Sequence, residues 1–157
     1  MGARVEVSRR PLTAEELAAF RGMLQVHARV TGLLDAELRQ EHELSIAGYE
    51  VLLFLSDAPE QRLRMAEIAD RVLLTRSGCT RLVDRLVEKG LVARCNAECD
   101  GRGLYAQLTE AGAQKFEQAR YTQYRGIRQH FLEQLSAEEM RELGEIWTRV
   151  IGAGERG

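Results

Sequence analysis

Apolar residues recur at helical spacing along most of this chain, and capping or turn residues mark the places where the pattern stops. Thr13-Ala14-Glu15-Glu16 is a capping box, in which a threonine oxygen and a glutamate carboxylate satisfy free amides at a helix start. The helix it opens carries two apolar rows, Leu17, Phe20, Leu24, Leu34, Leu38 and Met23, Val26, Val30, Leu33. That stripe is wider than packing on one side requires, so part of this helix is expected to meet a second chain. Ser45 caps a second helix, with Ile46, Tyr49, Leu52 and Leu53 on its buried side, and Asp57-Ala58-Pro59 interrupts it. A short third helix is expected at about Met65 to Val72 and a fourth from about Arg76 to Lys89. The fourth has the clearest buried row, Cys79, Leu82, Val83 and Leu86 at i, i+3, i+4 and i+7, and Gly90 stops it.

After Gly90 the period switches from helical to alternating. Leu91-Val92-Ala93 and Leu104-Tyr105-Ala106-Gln107-Leu108 read as two short strands, joined across the polar stretch from Asn96 to Gly103 as a hairpin. Thr109 caps a long helix with Phe116, Tyr124, Ile127, Phe131 and Leu135 along one face. Ser136-Ala137-Glu138-Glu139 is a second capping box, opening a last helix whose Met140, Leu143, Ile146, Trp147, Val150 and Ile151 share one side. The expected fold class is mainly α with a small β-hairpin wing.

Two helices joined by a tight turn and followed directly by a hairpin form a winged helix-turn-helix. With its buried row removed, the fourth helix presents Arg76, Ser77, Thr80, Arg81, Asp84 and Arg85. Ser, Thr and Arg donate to phosphates or base edges, and the first residues of such a helix go deepest into a major groove. Arg76, Ser77, Thr80, Arg81 and Arg85 are therefore the candidate DNA-binding residues of this helix. Asp84 has the wrong sign for a phosphate; Arg81 and Arg85 are within reach as partners, and it is assigned no role. The formal net charge of −2 looks unsuited to DNA, but from Gln61 to Arg102 nine Arg or Lys stand against six Asp or Glu. A basic middle segment on an acidic body fits a reading module set on a scaffold.

Three linked stretches resemble the MarR family of transcription regulators. Met65-Ala66-Glu67-Ile68-Ala69-Asp70-Arg71-Val72 is similar to its first motif helix, and Thr75-Arg76-Ser77-Gly78-Cys79-Thr80-Arg81-Leu82-Val83-Asp84-Arg85-Leu86 to its recognition helix. Asp100-Gly101-Arg102, followed by Leu108-Thr109-Glu110-Ala111-Gly112, is similar to its wing signature. The resemblance implies one domain over 1–157, with a DNA-binding lobe at 45–112 and dimerisation helices at 13–40 and 113–152. It further implies a homodimer on double-stranded DNA carrying a pseudo-palindromic operator, with two recognition helices in successive major grooves. Arg102 would be the wing-tip arginine, and Asp100 the carboxylate that orients it. A narrow minor groove concentrates negative potential and attracts such a guanidinium. The implied function is that of a repressor released by a small, phenolic effector bound between the dimer helices and the DNA-binding lobe. Leu73 in place of a turn glycine, Gly78 in place of a hydroxyl residue and Gly101 in place of a second wing cation depart from the family pattern and bear on base preference.

A thiol-based redox regulator using Cys95 and Cys99 is the first alternative. Arg94 would favour a thiolate at Cys95, whereas Glu98 and Asp100 oppose one at Cys99, and Cys79 on the buried row is expected to act as a small apolar side chain. A winged helix that binds an acidic protein partner is the second. His27, His42 and His130 have no ligand spacing, so no metal is expected, and no cofactor either. No phosphate-cradling glycine loop or nucleophile elbow is present to indicate an enzyme. A 45% apolar content excludes a disordered chain, and no apolar run approaches the roughly 18 residues of a membrane helix. The first ten residues lack the apolar core of a secretion signal, so the expected location is the cytoplasm, with no membrane partner.

Overall fold

The computed structural model describes residues 10–72, 74–96 and 104–154. Its helices are α1 (Ala14–His42), α2 (Ile46–Asp57), α3 (Met65–Arg71), α4 (Arg76–Glu88), α5 (Glu110–His130) and α6 (Ala137–Gly154). Side-chain oxygens of Thr13, Ser45, Thr75 and Thr109 accept an amide of the first helical turn at the starts of α1, α2, α4 and α5. Both expected capping boxes form: Thr13 with Glu16, and Ser136 with Glu139. These bonds satisfy amides that have no partner within the helix, which is why the starts fall where the hydroxyl residues stand. Gly90 ends the α4 segment with φ of 73°, a left-handed conformation that costs glycine nothing.

The hairpin forms, but as part of a three-stranded antiparallel sheet of order β1-β3-β2, with β1 at Arg62–Arg64, β2 at Val92–Asn96 and β3 at Leu104–Leu108. β1 was not expected. Its Leu63 is buried opposite Ala106, while Arg62 and Arg64 face outward opposite Gln107 and Tyr105. The second strand also begins later and runs further than 91–93, because Leu91 leaves the ladder to hold both α4 and the start of α5. Its N–H donates to Leu86 O at 2.9 Å and its carbonyl accepts from Thr109 N at 3.2 Å.

A second correction concerns Phe131 and Leu135, which do not continue α5. The helix ends at His130, Phe131 takes a non-helical conformation, and Leu132–Gln134 make a single 3-10 turn. Leu135 is extended, as a residue entering the Ser136 cap must be.

α2 lies at the centre of the core. Its Val51, Leu52 and Leu55 are fully buried, as are Ile68 of α3, Val83 of α4, Ala106 of β3 and Ala119 of α5. The Tyr49 ring packs at 5.4 Å from Phe116, and burial pushes the Tyr49 hydroxyl up to about 12. α1 and α5 are joined by polar contacts along their length: Arg125 and Thr122 to Glu41, His42 to Thr122 at 2.7 Å, and His130 to Glu37 at 2.6 Å. Among the described residues only the second half of α1 is covered. Leu34 and Leu38 are buried, whereas Phe20, Met23, Leu24 and Val26 are exposed, and so are Met140, Ile146, Trp147, Val150 and Ile151 of α6. Among the described residues no helix is long and apolar enough to cross a membrane.

Candidate nucleic-acid interface

α4 is positioned from its buried side. Cys79, Leu82, Val83 and Leu86 sink into the core as expected, and the Cys79 thiol points at Met65 O at the start of α3, 3.7 Å away. Burial pushes this thiol above its ordinary range, so it behaves as packing and not as a nucleophile. The turn between the two helices is fixed by Leu74 N–H to Ala69 O at 3.1 Å and by the Thr75 cap, which accepts from Gly78 N–H at 3.1 Å. Gly78 fits closely under that cap, since a Cβ there would lie 3.1 Å from Thr75 Oγ1. Leu73 lies outside the described residues.

This anchoring leaves Arg76, Ser77, Thr80 and Arg81 together on the open side of the first two turns, all exposed. The Thr80 hydroxyl donates to Arg76 O at 2.9 Å, which leaves its oxygen lone pairs outward, and Ser77 Oγ stands 3.3 Å from Thr75 Oγ1. Arg85, one turn beyond Arg81, is also exposed but sits at the far end of the helix, beside the end of α1.

Asp84 pairs with neither Arg81 nor Arg85. Its carboxylate accepts from Arg94 of β2 at 2.6 Å, an ion pair that ties the root of the wing to the middle of α4. Its partner had to come from a strand ten residues on, so local spacing could not reveal it. The pairing also engages Arg94, the cation that would have favoured a thiolate at Cys95, and Cys95 is half-buried on β2 opposite Tyr105. Among the described residues no group of His, Cys, Asp and Glu is arranged to hold a metal. Asp100, Arg102 and Cys99 lie outside the described residues.

The sequence reading also missed two cations on the sheet. Arg62 and Arg64 of β1 flank the Tyr105 ring at 5.5 and 5.4 Å from its centroid, and Arg64 Nε donates to the Tyr105 hydroxyl at 2.9 Å. The alternation of Arg62-Leu63-Arg64 was the only signal, and three residues are too few to define a strand.

A short helix, a capped turn, a second helix with a polar and cationic open side, and an adjoining antiparallel sheet together define a winged helix-turn-helix. A MarR family model matches residues 42–103. The transcriptional repressor MdtR of Bacillus subtilis is 33% identical over 93 residues, a stretch covering 59% of each chain and so less than two thirds of MdtR. Solved structures extend the likeness over nearly the whole length. AbsC of Streptomyces coelicolor, a MarR family transcriptional regulator, superposes with a TM-score of 0.84 at 30% identity, covering 94% of this chain and 99% of AbsC. Sco3205 of the same organism, a MarR family transcriptional regulator solved in complex with DNA, gives 0.83 at 32% identity over 92% and 91%. The chain belongs to the MarR family.

Proposed function

We propose that this protein regulates transcription by binding double-stranded DNA as a homodimer, over a pseudo-palindromic operator. The observation that carries the reading is the exposed set Arg76, Ser77, Thr80 and Arg81 at the leading end of a helix whose opposite face is locked into the core. Arginine there can meet guanine with two parallel bonds, and the hydroxyls can reach phosphates or base edges. Arg85 completes the stripe as a backbone contact. Arg102, oriented by Asp100, serves the minor groove from the wing. The paired DNA-binding lobes at 45–112 are held by helices at 13–40 and 113–152, whose uncovered apolar residues support the dimer. The two recognition helices then enter major grooves about 34 Å apart, one turn of the duplex. That Sco3205 was solved on DNA supports the same docking for this chain. Repression, relieved when a small phenolic effector enters between the dimer helices and the lobe, is the mode of action the family resemblance supports.

The test begins with selection of duplexes from a random pool, which should return half-sites related by two-fold symmetry. Fluorescence anisotropy on a selected and a scrambled duplex then separates the roles of helix and wing. Arg81→Ala should cost about 1 to 3 kcal/mol on the selected duplex and much less on the scrambled one. Arg102→Ala should weaken both alike and flatten the slope of log affinity against log salt by roughly two units per dimer. A wild-type protein with no salt-dependent duplex binding would defeat the proposal and leave the acidic-partner reading in its place.

A further inference from the structure

We propose that Arg64 of β1, steadied by Tyr105 of β3, binds the phosphate strand that separates the major groove entered by α4 from the minor groove beside the hairpin. The inference rests on the proposed DNA reading and adds a contact that belongs to neither the reading helix nor the hairpin tip. A protein that places a helix in one groove and a wing in the next must pass over the sugar-phosphate backbone between them. Arg64 sits at that crossing. It directly precedes α3, and the carbonyl of Met65, the next residue, lies 3.7 Å from the Cys79 thiol in the first turn of α4. On its other side Arg64 is paired in register with Tyr105, whose neighbour Leu104 forms with Asn96 the described pair nearest the hairpin tip. One residue thus lies between the leading end of the reading helix and the outer end of the wing.

The side chain is held in one direction. Leu63 is buried, so the alternation of the strand turns Arg64 outward, where it is exposed. Its guanidinium lies 5.4 Å from the centroid of the Tyr105 ring, and its Nε donates to the Tyr105 hydroxyl at 2.9 Å. A ring and a hydroxyl acting on one guanidinium restrict its plane, and a planar fork so restricted is matched to the oxygens of a phosphate. With five N–H donors, a guanidinium serves a phosphate alongside its other partners. The neighbouring charges single out this residue. Arg62 also stands by the ring, at 5.5 Å, but its Nη2 is 2.5 Å from Glu60 Oε2 and it lies two residues further from the tip. Glu67, the carboxylate nearest to Arg64 along the chain, accepts the Arg64 backbone N–H at 2.8 Å as part of the start of α3. A phosphate contact made from the sheet raises affinity for every duplex and carries no base information.

The test uses fluorescence anisotropy of the full-length protein on the selected and scrambled duplexes. Arg64→Gln should weaken binding to both by roughly tenfold and flatten the slope of log affinity against log salt by about two units per dimer. Arg64→Lys keeps the charge and should restore the slope. Tyr105→Phe keeps the ring but loses the hydroxyl, and should lower affinity with the slope intact. Selected duplexes carrying one neutral methylphosphonate per half-site, moved stepwise along the backbone, then locate the contact. Wild-type protein should lose affinity when the neutral group lies between the major-groove half-site and the flanking minor groove. Arg64→Gln should be insensitive to the replacement there, while Arg102→Ala should stay sensitive. Wild-type binding that no neutral phosphate in that stretch weakens would overturn the inference and leave the DNA reading standing. So would an Arg64→Gln protein with the wild-type salt slope, or one that binds weakly yet still loses affinity at the same neutral phosphate, for then Arg64 acts only through the fold. Absence of any salt-dependent duplex binding by the wild type is the separate result that defeats the DNA reading and this contact with it.

Discussion

Gly112 should be the least replaceable glycine of the fold, because it lies where α5 meets the root of the wing. A Cβ built there would fall 2.0 Å from Leu91 O, 2.9 Å from Leu91 C and 2.8 Å from Leu108 Cδ1. The first two atoms are backbone, so no rotamer change relieves the overlap, and α5 must move away from Leu91 by more than about 1 Å to reach even a tight contact. That movement opens two bonds that seat the helix, Thr109 N–H to Leu91 O at 3.2 Å and Thr109 Oγ1 to Gly90 O at 2.7 Å. Each bond is worth about 1 kcal/mol and the strain of overpacking about 1 to 3, while the gain in helix propensity returns at most about 1. Gly112→Ala is therefore expected to lose about 2 to 4 kcal/mol, a large part of the stability of a domain this size. Urea denaturation followed by circular dichroism, at matched protein concentration since a dimer's midpoint depends on it, measures the loss. The double variant Leu108→Ala/Gly112→Ala should show no rescue, because the closest contact is with a carbonyl. A Gly112→Ala midpoint within about 0.5 kcal/mol of wild type would refute the reasoning, being the range of an ordinary surface change.

Trp147→Glu places a charge in the exposed apolar row of α6 and should weaken dimerisation by about 2 kcal/mol or more, roughly 30-fold, giving monomer or aggregate by sedimentation at micromolar concentration; a stable wild-type monomer would contradict it. Burial raises the Glu50 carboxyl above its ordinary value, so the folded chain holds this proton more tightly than the unfolded one. Its contribution to stability is present below the unfolded value of 4.5 and lost as pH rises through the folded value. Glu50→Gln should accordingly be more stable than wild type at neutral pH, with the difference vanishing in acid; denaturation midpoints that differ equally at both pH values would show that charge is not the cause.

Features written in adjacent residues were legible from the sequence. The caps Thr13, Ser45, Thr109 and Ser136 each act within one helical turn, and the buried row of α4 repeats at the spacing that a helix imposes on its own. What escaped depends on partners distant along the chain. β1 exists because Leu63 finds Ala106 and Arg64 finds Tyr105, more than forty residues away, and Arg62-Leu63-Arg64 alone carries one apolar residue. The break after His130 escaped for the opposite reason. Phe131 and Leu135 keep the helical spacing of α5, so the pattern ran on through a turn that the Ser136 cap requires.

Asp84 shows how such a distant partner bears on the candidate site. Read along the helix, it is a negative charge in the middle of a surface meant for phosphates, and it would lower the potential that Arg76 and Arg81 create. In the fold that charge is taken up by Arg94, a residue of the wing strand. The pair is half-exposed on the aspartate side, so it contributes only about 0.2 to 1 kcal/mol to stability. It adds a polar tie between β2 and the middle of α4, two elements that already share the core through Leu82, Val83, Leu86 and Val92. A carboxylate that stands out along the helix as an unfavourable charge is thus matched in the fold by a cation that only the strand supplies.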